Sequence, residues 1–243
     1  MNLLHMRPCD IEKAVAKNIP VLLPLGAVEY HGQHMPIGTD TLIAEGLCKL
    51  IAQKADVIVA PAIPFSPTMH WAGGAESGDM DFSEEALAVY ALEYIRQLAK
   101  VGFRRIYVML GHQGKGGLPA LIMEKAGRVA AADISRAMGA GWGCLPPEQL
   151  PENVYSLVRV CDYDEFSDYS KINRNERMPV GHGGRGETQL IMALYDNLVR
   201  MEALKDAKKP LPPWLSDVYE ADAADGAFWV DFCVDGFVEY FKR

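Results

Sequence analysis

The chain has 243 residues, 49% hydrophobic and 23% charged, an ordinary globular composition that excludes disordered, collagenous and low-complexity classes. Its 32 acids against 24 Lys and Arg give a net charge of −8, which argues against nucleic acid or an anionic membrane surface as the main partner. Five cysteines (Cys9, Cys48, Cys144, Cys161, Cys233) show no C-x-x-C spacing. Neither a disulfide framework nor a thiolate zinc site is indicated, and a reducing cytoplasm is the expected compartment. MNLLHMRPCD does not read as a secretory leader, and no run approaches the ~18 apolar residues of a membrane span.

The first apolar run, 19–25 (IPVLLPL), bounded by Gly26, predicts a buried strand. From Thr39 onward, Leu42, Ile43, Leu47, Leu50 and Ile51 recur at helical spacing. Residues 56–62 (DVIVAPA) predict a second strand. Ser83 can cap a helix through Ala99, with Glu84 and Glu85 in its first turn, Lys100 in its last, and Gly102 as its stop. A third strand follows at 104–110 (RRIYVML), then a helix at 118–138, a loop at 146–151, a fourth strand at 154–160 and a helix at 187–204. Strands alternating with long helices predict an α/β fold with a largely parallel sheet covered on both faces. No linker divides the chain, so 1–243 is expected to be a single domain. Prolines at 210–213 set off an acidic, aromatic tail to residue 243, expected to pack on the core or on a neighbouring subunit.

In such a sheet the ligand site forms at the carboxyl ends of the strands. The loop after the first strand carries Glu29, His31, His34 and Asp40. Glu29 and His31 are two apart, which puts both on one face of an extended segment. The third strand delivers His112, and a late glycine-rich loop delivers His182 and Glu187. Each residue alone has a bland reading: a solvated histidine, an N-cap, a first-turn acid. Their convergence from three strand-end loops predicts a divalent-metal site. The rival motifs are incomplete. GHQGKGG lacks the full P-loop spacing, no G-x-S-x-G elbow occurs, and Cys48 and Cys161 read as core thiols.

Residues 26–41 (GAVEYHGQHMPIGTDT) resemble the signature of the creatininase (creatinine amidohydrolase) family, G-x-x-E-x-H-G-x-H-x-P-x-x-T-D-T. Residues 110–115 (LGHQGK) are similar to its N-G-H-G-G-N run, and 182–189 (HGGRGETQ) to its H-A-G-x-x-E-T-S run. The resemblance implies a three-layer α/β/α hydrolase with two divalent ions (Zn, Mn or Fe), assembled as a homohexamer. It implies Glu29, His31, Asp40, His112 and Glu187 as metal ligands, with Asp40 bridging. His182 and Glu187 become the catalytic pair, His182 handling protons, and His34 stands just behind the site. Ser66, His70, Trp71, Glu76 and Gln113 are expected to line the substrate pocket. Gly114 stands where creatininase has an acidic ligand, so the second ion would turn to Glu187 or water; Gln189 replaces the family serine. The expected reaction is attack of a metal-bound hydroxide on a small cyclic or amide-like substrate. One alternative is a C–C hydrolase opening a cyclic diketone from inositol (3-dehydro-scyllo-inosose type). Another is a non-catalytic metal-binding subunit, disfavoured because an unused buried charge cluster is costly.

Overall fold

Strands β1 (Val21–Leu25), β2 (Ile58–Val59), β3 (Ile106–Leu110) and β4 (Val158–Cys161) form one parallel sheet in the order β2-β1-β3-β4. The computed structural model describes residues 1–150, 153–207 and 210–242. The last residue of the loop expected at 146–151 and the end of the tail lie outside the described residues.

β1 and β3 are buried along their whole length, as continuous apolar runs require. The pleat sorts their side chains into two layers. Val21, Leu23, Leu25, Ile106, Val108 and Leu110 face one apolar cluster; Leu22, Tyr107 and Met109 face the other. Helices α1 (Pro8–Ala16), α3 (Glu84–Val101) and α4 (Leu118–Ala137) cover the first face. Helices α2 (Thr39–Lys54), α5 (Arg185–Leu194) and α6 (Ala223–Phe241) cover the second. The result is the three-layer α/β/α fold.

Several boundaries differ from the sequence expectations. β2 keeps only two ladder residues of the run 56–62: after Ala60, whose N–H donates to Leu22 O, the next bond to β1 comes only from Ile63, to Pro24 O, and Pro24 has no N–H to return. β4 starts later than residue 154, because the chain first turns at Asn153, in the left-handed region at φ +54. Helix α5 begins at Arg185 and stops at Leu194 rather than 204. Tyr195 turns extended there, and its hydroxyl donates to Leu42 O at 3.0 Å. The apolar spacing beyond it serves a separate 3₁₀ turn, Met201–Lys205, whose Leu204 packs with Leu215 and Val218. Ser83 caps α3 by accepting from the Ala86 N–H at 3.2 Å.

The aromatic tail forms α6, whose Trp229 and Phe237 are buried against α2 and α5. Gly226 lets α6 touch α5 backbone to backbone, since a Cβ there would sit 1.9 Å from Gln189 O. Gly226→Ala should force the helices apart and cost about 1–3 kcal/mol, the scale of core overpacking. Urea unfolding of the purified variant checks this.

Candidate metal centre

Three chain segments meet at the carboxyl edge of β1 and β3. The β1 loop is closed by the Glu29 N–H donating to Ile37 O at 2.9 Å, and Asp40 follows in the first turn of α2. Gly111, just after β3, presses on that turn: a Cβ there would lie 2.3 Å from Asp40 O. Only glycine permits this approach, which places His112 beside Asp40. Ser66 supports the same corner, its buried hydroxyl donating to Gly26 O at 2.8 Å. The N-terminus of α5 adds Glu187, whose Oε2 accepts the Gly183 N–H at 2.6 Å.

Asp40 lies at the focus. Its Oδ1 is 2.9 Å from His31 Nε2, and its Oδ2 is 2.8 Å from His112 Nδ1. Glu29 Oε2 is 3.2 Å from His112 Nδ1, and Glu187 Oε2 is 3.5 Å from His31 Nε2. Glu29–Asp40–His112 and His31–Asp40–Glu187 therefore form two groups, each with its donor atoms within 4.8 Å of one another, and they share Asp40. Glu29, His31 and His182 form a third such group.

Each histidine is oriented by a backbone carbonyl. His31 Nδ1 faces Glu29 O at 3.0 Å, His112 Nε2 faces Pro67 O at 3.0 Å, and His182 Nε2 faces Tyr30 O at 2.7 Å. A carbonyl can only accept, so these nitrogens carry protons. The opposite nitrogens point at the centre, where an ion displacing their protons would find them as lone-pair donors, the arrangement typical of metal-ligating histidines. Glu29 Oε2, His31 Nε2 and Asp40 Oδ2 are buried and make no hydrogen bond of acceptable geometry among the described residues. Orphaned donor atoms converging in this way fit a divalent cation.

The protonation equilibria follow from burial and mutual charge. Burial lifts Glu29 and Glu187 to about 7. Burial opposes charge on His31, but Asp40 and Glu187 outweigh it and raise His31 to about 10. Burial also works against ionised Asp40, yet the two imidazoles hold it well below the carboxylate range. His112 is raised, with Asp40 overcoming its burial. His182 falls to about 4 through burial and the nearby charge of His31, and burial lowers His34 to about 4.

These shifts set the sign of a pH dependence in metal-stripped protein. His31 keeps its proton to about 10 when folded but only to 6.5 as a free side chain. The folded state then binds more protons over that window, so stability falls as pH rises. His112 acts in the same sense. The N-terminal amine, lowered by burial, runs the other way but is one group against two. At lower pH the raised carboxylates and the lowered His34 and His182 oppose each other. The urea midpoint of chelator-treated protein should therefore fall between about pH 7 and 9; a rising midpoint contradicts the assignment.

A cavity of about 770 Å³ opens over the centre, lined by Glu29, Asp40, His112, His182 and Glu187, and also by Trp71 and Gln113. The Gln113 amide is tied down, donating to Pro67 O at 3.0 Å and accepting the Leu118 N–H at 3.2 Å. Ser66, His70 and Glu76, expected in the pocket, do not line it. Ser66 is committed to Gly26. His70 turns to loop acids, 3.5 Å from Asp79 and 3.8 Å from Asp81, and Glu76 is exposed on a 3₁₀ turn. His34 stays behind the centre. Its Nε2 donates to Thr188 Oγ1 at 2.9 Å, and Thr188 donates on to Gly183 O at 3.0 Å, tying the β1 loop to α5.

Sequence reasoning missed Tyr163, Thr68 and Met178 in the cavity wall. Tyr163 follows β4 at the same sheet edge, so the strand-end rule could have found it. Asp79 carries no sequence signal for its role; it is buried and accepts the Tyr30 N–H at 2.6 Å.

A three-layer α/β/α fold with carboxylate–histidine groups at the carboxyl edge of its parallel sheet fits the class of metal-dependent hydrolases. Comparison with known proteins agrees. The family profile described as creatinine amidohydrolase matches residues 4–241, so the chain belongs to the creatininase family. It is 24% identical to the creatinine amidohydrolase of Pseudomonas putida over an alignment of 255 positions, gaps included, covering 95% of this chain and 92% of that one. It is 33% identical over 101 residues to a mycofactocin precursor peptide peptidase of Mycobacterium ulcerans, covering 39% of this chain and 40% of the relative. Among solved structures, a mutant creatininase of Zn-Zn type superposes with TM-score 0.77 at 22% identity, covering 99% and 96% of the two chains. A manganese creatininase superposes with TM-score 0.75 at 22% identity, covering 99% and 97%. Among the described residues, no helix is long and apolar enough to cross a membrane.

Proposed function

We propose that this chain hydrolyses a carbon–nitrogen bond in a small cyclic or open amide, with two divalent ions held by Glu29, His31, Asp40, His112 and Glu187. The observation that carries this reading is the pair of three-donor groups sharing Asp40. Histidine with carboxylate donors suits Zn, Mn or Fe. Such ions supply Lewis-acid polarisation of a carbonyl and a water of lowered pKa.

The chain's own residues do the rest. His182 is fixed by its Nε2–H bond to Tyr30 O, so Nδ1 is the free lone pair, 3.9 Å from Glu29 Oε2. Burial keeps the ring neutral near pH 7. It can therefore take a proton at Nδ1 and return it to a leaving nitrogen. Glu187, anchored on the Gly183 N–H, orients His31 and completes the second group where Gly114 offers no side chain. Gly114 stands at φ +64, and nothing lies within 4 Å of where a Cβ would be, which widens the cavity on that side.

Homo-oligomerisation, a hexamer as the family resemblance implies, belongs to the same reading. Exposed Val89 and Tyr90 on α3 and Leu118 and Leu121 on the adjacent α4 support it. The free cysteines support a cytoplasmic setting.

The test is turnover of creatinine, a formamidopyrimidine, a diketo-inositol and a short peptide before and after chelation. Amide cleavage lost on chelation and restored by Zn or Mn is expected. Full activity in protein shown to be metal-free would overturn the reading, and cleavage of the diketone alone would move it to C–C hydrolysis.

A further inference from the structure

Trp71 is 61% exposed, yet it lines the cavity over the metal centre. Its ring meets His182 edge-on at 5.1 Å, and the Trp214 ring also meets His182 edge-on, at 5.0 Å. The loop carrying Trp71 is held at a cost. Met69 and His70 both stand in the left-handed region, at φ +58 and +50, each a strain of about 1–3 kcal/mol for a residue with a side chain. Asp81 Oδ1 restrains the loop by accepting the Thr68 and Met69 N–H groups at 2.8 and 3.0 Å, and Thr68 Oγ1 accepts the His70 N–H at 3.3 Å. The strained turn presents a large apolar ring at the cavity mouth.

The charges of the wall point the same way. Five carboxylates line the cavity, those of Glu29, Asp40, Asp162, Asp164 and Glu187, and no Lys or Arg does among the described lining residues. The nearby Lys115 ammonium is paired with Glu165. Glu29 Oε2 and Asp40 Oδ2 are buried beside His112 Nδ1 and make no hydrogen bond of acceptable geometry among the described residues. Two divalent ions would offset the three acids of the centre. Asp162 and Asp164 would remain in the wall, Asp164 accepting the Tyr169 hydroxyl at 2.7 Å and Asp162 lying in the field of Lys115, itself paired with Glu165, so an anionic substrate group there meets more acid than base. A cationic group in the cavity finds these acids on one part of the wall and the Trp71 indole on another, whose face attracts cations through its quadrupole. At about 770 Å³ the cavity is in the size range of drug-sized ligands rather than of one small ring.

We infer that the substrate is neutral or cationic and carries, beyond its scissile amide, a flat group that packs on the indole of Trp71. This inference rests on the proposed hydrolytic reading of the site, and the experiment separates the two. Zinc-loaded protein is titrated calorimetrically with acetohydroxamate, benzohydroxamate, 4-guanidinobenzohydroxamate and 4-carboxybenzohydroxamate. The hydroxamate ligates zinc and carries its substituent into the cavity. Benzohydroxamate should bind about tenfold tighter than acetohydroxamate, and the guanidino compound about tenfold or more tighter than the carboxylate. Trp71→Ala should erase the aryl preference, Trp71→Phe should keep most of it, and both should retain zinc and acetohydroxamate binding. An aryl preference that survives in Trp71→Ala, or a carboxylate bound as tightly as the guanidino compound, overturns the inference while leaving the hydrolytic reading intact. Failure to take up zinc, or to bind acetohydroxamate when zinc is present, overturns the hydrolytic reading and the inference with it.

Discussion

Replacing Asp40 by Asn is expected to lower turnover by about 10³-fold or more, because it removes the residue common to the two proposed metal groups. The amide keeps the shape of the side chain but offers one acceptor and no charge. His31 Nε2 and His112 Nδ1, at 2.9 and 2.8 Å from the carboxylate, would then face a neutral group inside a buried site. Metal content should fall together with activity. In metal-stripped variant protein the His31 imidazolium should titrate well below the wild type, since Asp40 is the largest influence raising it. Elemental analysis and histidine NMR check the two halves. A variant that keeps its metal and its turnover contradicts the assignment of Asp40.

Replacing His182 by Ala should give a different signature. Turnover of the best panel substrate should fall by about 10²–10⁴-fold, the usual worth of a positioned acid–base group, while metal content stays at the wild-type level. His182 meets the centre through the 3.9 Å approach of Nδ1 to Glu29 and a stacked contact with the His31 ring, outside the two groups that share Asp40, and its other nitrogen is spent on Tyr30 O. The pair of variants therefore separates holding the ions from moving the proton. A His182→Ala enzyme within threefold of wild type, or one that loses metal as Asp40→Asn does, assigns the histidine to another role.

Much of this site is legible in residue order. Glu29, His31, Asp40, His112, His182 and Glu187 are expected at one sheet edge because each follows a predicted strand end or opens a helix, and they do meet there. The strands themselves are visible as short apolar runs. Features fixed by long-range contact are not visible. Ser66 looks like a pocket hydroxyl, but the nearby Gly26 carbonyl claims it. His70 looks like a pocket histidine, but the left-handed turn at Met69 and His70 swings it toward Asp79 and Asp81. Histidine visits this region more readily than most residues, but nothing local announces it at Met69. Helix α1 is absent from the sequence expectations, although its Pro8 start and the Asp10 capping contact mark it locally. The end of α5 is misplaced because Leu198 and Leu204 continue the apolar pattern, while Leu204 serves a different cluster.

On the proposed reading two ions share Asp40. Crystals grown with zinc and measured across its absorption edge test this most directly. Two anomalous peaks per chain are predicted, one between Asp40 and the Glu29–His112 pair, the other between Asp40 and the His31–Glu187 pair. A single peak, or peaks away from Asp40, would rule out a carboxylate shared by two ions.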